Sequence, residues 1–277
     1  MRQFHTPMES TCLDEFRTRV YSHYYVHGRD FPWRHSTDPY HILVSEVMLQ
    51  QTRAAHVLKH YHQFVYCFPD FQALSLAGPI DVLRVWQGLG YNRRAIALLK
   101  TARNVCAHFN GCLPHEKEKL LALPGIGSYT AAAIRAFAFD QPEVLIETNI
   151  RTVFLHEFFS GRERVRDREI LPVIETTLDR EHPRQWYHAL MDYGVKLKEE
   201  DNATRRSAQY RPQSRFRGSR REARGAILRA LLQTGPLSTA ALASEISGWD
   251  VRFDDALVTL QRDGLVMERD SVLSVPT

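Results

Sequence analysis

Leu121-Ala-Leu-Pro-Gly-Ile-Gly-Ser-Tyr-Thr-Ala131 joins one apolar helical segment to another through a hairpin carrying two glycines, Gly125 and Gly127. A chain that turns this tightly and brings its backbone against a ligand needs positions without a Cβ. The helix that opens at Ser128 then offers its first free N–H groups to a phosphate. Such a hairpin grips a nucleic-acid backbone without reading bases. Pro124, Gly125, Ile126, Gly127, Ser128 and Thr130 are accordingly assigned to DNA contact. A bare Gly-x-Gly also ends ordinary helices. The preceding Leu123-Pro124 and the following run from Tyr129 to Ala133 make this one specific.

On either side of the hairpin, apolar residues recur at helical spacing from about Asp14 to Phe158, as in Ile42, Val47, Leu49 and then Val57, Tyr61, Phe64. Phe31-Pro32-Trp33, Phe68-Pro69, Gly88-Leu89-Gly90 and Leu113-Pro114 break this body into about ten short helices. Trp33, Trp86 and Trp186 read as core. The chain has 277 residues, 44% hydrophobic and 25% charged, with a net charge of +4. That composition excludes disorder and collagen-like architectures, and the charge must be read locally. Cys12, Cys67, Cys106 and Cys112 form no C-x-x-C pair, so neither a disulfide framework nor a zinc or iron–sulfur site is written in them. No stretch is long and apolar enough for a membrane span, and the expected setting is cytoplasmic.

From Lys196 to Arg221 nine basic residues face only Glu199, Glu200 and Asp201, with few large apolar side chains. This reads as a linker, or as a strap that contacts phosphates. Beyond it, Arg224–Leu232, Ser238–Ile246 and Arg252–Arg262 are helical, and the alternating end of the chain is a small hairpin. Three helices and a ribbon resemble a winged helix-turn-helix. Five basic against eight acidic residues after Arg221 argue for a stabilising or protein-contacting role over DNA reading.

Two carboxylates stand out. Glu46 lies in the apolar turn Val44-Ser-Glu-Val-Met-Leu-Gln-Gln-Thr52, and Glu147 opens a helix after Val144-Leu-Ile146. Breaking a bond to an anomeric carbon requires an acid for the leaving group and an anion beside an oxocarbenium-like transition state. Carboxylates in unlike surroundings suit the two tasks, and Glu46, among apolar neighbours, suits the acid.

The chain resembles the helix-hairpin-helix DNA glycosylase superfamily, and within it the MutY-type adenine DNA glycosylases. The motifs are Phe-Pro-Trp-Arg at 31–34, Asp38-Pro39-Tyr40, Ser-Glu-Val-Met-Leu-Gln-Gln-Thr at 45–52, Trp-Gln-Gly-Leu-Gly-Tyr at 86–91, the hairpin at 123–131, and Met-Asp-Tyr-Gly at 191–194. The resemblance spans roughly residues 30 to 195. It implies an all-α, two-lobed helix-hairpin-helix DNA glycosylase fold with a small C-terminal winged-helix-like module. DNA would lie between the lobes, with the target base flipped out. The expected division is 31–141 for a six-helix barrel lobe with the hairpin, 1–30 plus 142–198 for a second helical lobe, 199–221 for the basic linker, and 222–277 for the module.

The same resemblance makes Glu46 the acid that protonates the departing adenine, and Gln51, beside Gln50, a wedge into the duplex. Arg34, Tyr91 and Asn92 are further expected DNA contacts. Tyr129 stands where bifunctional relatives carry a nucleophilic lysine, so base removal without strand cleavage is implied. Glu147 stands on the family's essential aspartate, with Asn149 beside it. Its extra methylene shifts the carboxylate by about 1.5 Å. The cysteines that hold the family's iron–sulfur cluster should follow Gly194, but Lys198 is near the first of those positions and no cysteine follows Cys112, so no cluster is expected. A monovalent cation on the hairpin carbonyls is carried over from relatives. Asn92 replaces a common tyrosine, and the C-terminal module replaces a β-rich lesion-reading domain.

The implied function is a monofunctional, monomeric adenine glycosylase of base excision repair, acting on duplex DNA that contains a mispaired or damaged base. A thymine, uracil or other damaged-base glycosylase of the same fold is one alternative, and a non-catalytic lesion binder another. His56 and His60, at i and i+4 with His62 nearby, read as an exposed helix face rather than a zinc site. Arg93 and Arg94 read equally as phosphate contacts or as surface ion pairs.

Overall fold

The computed structural model describes residues 10–276. In chain order its helices are α1 (Ser10–His27), α2 (Pro39–Leu49), α3 (Ala54–Cys67), α4 (Phe71–Leu76), α5 (Pro79–Val85), α6 (Arg93–Phe109), α7 (Lys117–Leu121), α8 (Ser128–Phe137), α9 (Thr148–Glu157), α10 (Asp167–Thr177), α11 (Pro183–Glu200), α12 (Arg220–Thr234), α13 (Thr239–Glu245) and α14 (Val251–Arg262). Strands β1 (Leu237–Ser238), β2 (Met267–Arg269) and β3 (Val272–Ser274) form one antiparallel sheet in the order β1-β3-β2.

Local chemistry sets many of these ends. Asp70, Ser219, Ser238 and Asp250 accept backbone N–H bonds as N-caps of α4, α12, α13 and α14. Pro79 opens α5, where its missing N–H costs nothing, and Asn110 closes α6 in the left-handed region at φ 52°.

Contacts divide the chain into two units. One contains the residues up to Asp38 and Gly127–Pro212; the other contains Pro39–Ile126 and Gln213–Thr277. The sequence reading puts the division at residues 30 and 141 and separates the C-terminal module. In the structure α8 goes with α11, on which it packs, and the C-terminal helices go with α5, against which α12 lies. Residues 1–9 of the expected second lobe lie outside the described residues.

The first unit is organised around α11, which packs on α1, α8 and α9. Trp186 is fully buried, with Phe16 edge-on at 5.7 Å between ring centroids. A close approach of α9 to α11 lies at Gly194. A Cβ there would lie 2.3 Å from the Asn149 carbonyl oxygen and 2.7 Å from its carbon, so the α9 backbone occupies the space that a side chain would take.

In the second unit α2 is mostly apolar and enclosed by its neighbours: Tyr40, Leu43, Val44 and Met48 are buried, and Ser45 and Glu46 are buried with them. Trp86 is fully buried against Phe64. The C-terminal part closes its own small core from Ile227, Leu231, Phe253, Leu260 and Leu273. A β-turn with Asp270 and Ser271 at φ 50° and 61° links β2 to β3, which is the expected winged-helix pattern.

Alanine in place of glycine inside a helix ordinarily stabilises it. Gly194→Ala is expected to do the opposite, lowering the urea-unfolding free energy by about 1–3 kcal/mol, the range for overpacking.

Candidate active site

In the first unit the extended residues before α9 deliver Glu147 to its N-cap position, at φ −130° and ψ −175°. One carboxylate oxygen, Oε1, accepts from the Asn149 N–H at 2.7 Å and the Ile150 N–H at 2.8 Å. Burial raises the Glu147 carboxyl above the ordinary glutamate value, while those two N–H groups, Arg151 and Arg29 pull it down. Oε1 is held by the helix, and the side chain keeps partial exposure. Asn149 is held in turn by its backbone contact with Gly194. Arg151 forms a two-pronged pair with Asp167 at 2.7 and 2.8 Å, tying α9 to α10.

Two residues before Gly194, Asp192 is 3% exposed and gathers both arginines of the chain segment that follows α1. It accepts from the Arg29 N–H and Nε at 2.8 and 2.6 Å, and from the two Arg34 terminal nitrogens at 2.7 and 2.8 Å. Arg34 is expected at the DNA. Its side chain is only 7% exposed and also donates to the Arg29 carbonyl, so the structure makes it an internal strut. The sequence contains the Met191–Gly194 motif, but nothing in it pairs Asp192 with residues about 160 positions away.

The hairpin makes the expected tight turn at Gly125, whereas Gly127 is extended at φ −91° with open space where a Cβ would lie. Gly125 is at φ 77°, and a Cβ there would meet that of Ala97 at 2.7 Å. The Thr101 hydroxyl donates to the Pro124 carbonyl at 2.7 Å, and the Ile126 N–H donates to the Leu123 carbonyl. Gly127 and Ser128 are exposed, and no side chain caps α8 at Gly127. Tyr129 is half-buried and Thr130 buried in the first turn of α8.

In the second unit Glu46 is 6% exposed, within α2. The chain leaves α2 through Gln50, which is half-buried, and Gln51, which is exposed at φ 56°. A left-handed glutamine stores backbone strain of the kind found at functional sites. Arg94 organises this exit. Its Nη1 donates to the Val47, Met48 and Gln50 carbonyls at 2.9, 2.8 and 2.7 Å. Its Nη2 reaches the Thr52 hydroxyl and the Leu89 and Gly90 carbonyls. Burial pulls the Arg94 guanidinium down to about 10. Arg94 is therefore neither a phosphate contact nor a surface ion pair, because the unsatisfied carbonyls at the end of α2 take its donors. Arg93 pairs at 3.7 Å with Asp263.

Tyr91 is at φ 48°, with the Arg94 guanidinium over its ring at 5.4 Å. Its hydroxyl accepts from Gln213 Nε2 at 2.7 Å and Arg221 Nη1 at 3.2 Å. Asn92 precedes α6 without a side-chain cap bond. His56 donates to the Gly88 carbonyl at 3.0 Å, so this histidine braces the loop. Among the described residues no group of three metal-ligating side chains occurs.

The segment after α11 does not fit an iron–sulfur cluster. Such clusters take thiolates, and no cysteine follows Cys112. Ala203, Thr204 and Ser207 are buried there instead. Thr204 bonds to Thr152 of α9 at 2.6 Å between hydroxyl oxygens, and Ser207 bridges to Val165.

A fold of short helices around a two-glycine hairpin, with a carboxylate capping the helix beyond it, defines a helix-hairpin-helix base-excision protein. Residues 44–188 match the HhH-GPD superfamily of base excision DNA repair proteins, and the chain belongs to that family. It is 31% identical over 263 residues to an adenine DNA glycosylase of Mycolicibacterium smegmatis, covering 88% of this chain and 90% of that protein. It is 43% identical over 137 residues to one from Mycobacterium tuberculosis, covering 49% of this chain and 45% of that protein. A solved thermostable thymine-DNA glycosylase superposes with a TM-score of 0.60 at 28% identity, over 66% of this chain and 86% of the other. The chain spans about half the length of several relatives that it matches. No helix among the described residues is long and apolar enough to cross a membrane.

Two measurements check the Asp192 centre. Asp192→Asn leaves two guanidinium groups around a neutral amide and should cost about 3–5 kcal/mol in urea unfolding. Hydrogen bonds from Arg34 and the charges of both arginines outweigh burial and hold the Asp192 carboxyl below its ordinary value. Burial holds neighbouring His188, stacked on Phe137 at 4.9 Å, down to about 3. Both groups take up protons more readily when unfolded, so each contributes stability at neutral pH that is lost on acidification. The wild-type unfolding free energy should fall as pH drops from about 6.5 toward about 3. His188→Gln should flatten the upper part of that fall.

Proposed function

We propose that the chain is a monofunctional, monomeric DNA glycosylase of base excision repair that hydrolyses the N-glycosidic bond of adenine mispaired with 8-oxoguanine or guanine. The observation that carries this reading is the pair of unlike carboxylates, Glu46 buried in an apolar helix and Glu147 fixed on a helix N-terminus, in a chain that holds the hairpin between them in sequence. The named adenine DNA glycosylases among its relatives support the choice of base.

In this mechanism Glu46 donates its proton to the departing base as the bond to C1′ breaks, and the electron pair leaves with the base. Positive charge develops on the sugar, and the Glu147 carboxylate stabilises it. Water then adds to C1′ and loses a proton, giving an abasic site. A phenol forms no Schiff base, so Tyr129 leaves the strand intact, and Asn149 holds the start of α9. The hairpin 124–130 grips the DNA backbone and Gln51 enters the duplex beside the flipped base. The reading needs no iron–sulfur cluster. It allows a monovalent cation on the hairpin carbonyls and places the protein in the cytoplasm.

The likeness to a solved thymine-DNA glycosylase favours a second reading, removal of thymine or uracil opposite guanine. Single-turnover base release, followed by alkaline strand cleavage, separates the two on duplexes carrying adenine opposite 8-oxoguanine, adenine opposite guanine, and thymine or uracil opposite guanine. Release of adenine is expected, and Glu46→Gln should bind duplex yet release base at least about a hundredfold more slowly. Release of pyrimidines alone would establish the second reading. Binding without release on every substrate would leave a lesion binder.

A further inference from the structure

The segment that leads into α12 is folded onto itself. Arg221 Nη2 donates to the Ser214 carbonyl at 2.6 Å, the Ser219 hydroxyl donates to the Phe216 carbonyl, and the Gly218 N–H donates to Glu222 at 2.5 Å. Gly218, at φ 77°, makes the bend. The product is a closed tip whose outward side chains are Arg215, Phe216, Arg217 and Arg220, all exposed, with Phe216 at 61%. These three arginines pair with no carboxylate among the described residues, and no acidic residue occurs from 202 to 221. The tip is anchored at its base: Gln213 and Arg221 both donate to the Tyr91 hydroxyl.

A large aromatic ring flanked in sequence by two arginines, on a pre-formed turn, is left mostly in water by the chain itself. Its chemistry suits a polyanion with flat apolar faces inside it. Guanidinium groups take phosphate oxygens in pairs, and an aromatic ring can stack on a base or wedge into a step. The internal hydrogen bonds also lower the ordering cost of binding.

We infer that residues 214–220 form a second duplex-DNA site, in which Arg215, Arg217 and Arg220 hold backbone phosphates and Phe216 contacts the bases or sugars between them. The Tyr91 hydroxyl couples this site to the Gly88–Asn92 loop. The acidic module that follows serves as the scaffold that presents the tip, and its own helices do not read DNA. The inference rests on the proposed function only in taking duplex DNA as the partner.

Fluorescence anisotropy of the full chain with a labelled, undamaged duplex over a salt series tests it. The Arg215→Gln, Arg217→Gln, Arg220→Gln triple variant should make the slope of log K against log salt less negative by about 2–3 and weaken binding at low salt at least tenfold. Phe216→Ala should keep the wild-type slope and weaken binding about tenfold. All four positions are exposed, so folding is not at risk. A wild-type slope and affinity in both variants would overturn the inference. Base release by wild-type protein on the substrate panel is scored separately: a chain that binds duplex with the expected slope but releases no base removes the proposed chemistry and leaves the tip standing. A wild-type chain with no affinity for duplex overturns both.

Discussion

The contact between the Asn149 carbonyl and the bare Cα of Gly194 is the constraint from which the first unit is built. It brings the first turn of α9 closer to α11 than any side chain would allow. The two N–H groups that hold Glu147 are donated from that same turn. Two residues away on α11, Asp192 draws in Arg29 and Arg34. One helix thus sets the carboxylate and anchors the chain segment that follows α1. Gly194 fixes the turn that holds Glu147, and Asp192 fixes Arg29 and Arg34, through backbone and charge rather than through apolar area.

The second unit uses a half-buried cation in the same way. The last carbonyls of a helix need donors, and Arg94 supplies them to Val47, Met48 and Gln50 while holding the 88–90 loop. A lysine could not reproduce this, because the job needs several donors in a planar fork. Glu46 on α2, the strained Gln51 and Tyr91 all lie within one covalent step or one hydrogen bond of residues that Arg94 touches.

Much of this was legible in the sequence for physical reasons that act over short spans. Pro, Gly and capping residues end helices locally, so the breakers at 31–33, 68–69, 88–90 and 124–127 placed the elements. Gly125 specifies the hairpin's turn, and periodicity marks the winged C-terminal part. What stayed illegible depends on partners far apart along the chain. Arg34 and Arg94 look like surface cations until Asp192 and the end of α2 come into view. Tyr91 gives no sign that residues 213 and 221 will bind its hydroxyl. The separation of α8 from the helices before it also depends on packing against α11, which no local pattern encodes.

In the proposed mechanism Glu147 acts through its charge, and its capping of α9 is a separate, structural task. Glu147→Gln separates the two, since an amide oxygen can still accept from the Asn149 and Ile150 N–H groups but carries no charge. The decisive measurement is single-turnover adenine release by Glu147→Gln, with thermal unfolding recorded alongside. The expected result is an unfolding temperature close to wild type and a release rate lower by at least about a hundredfold. Release at the wild-type rate by the folded variant would contradict it.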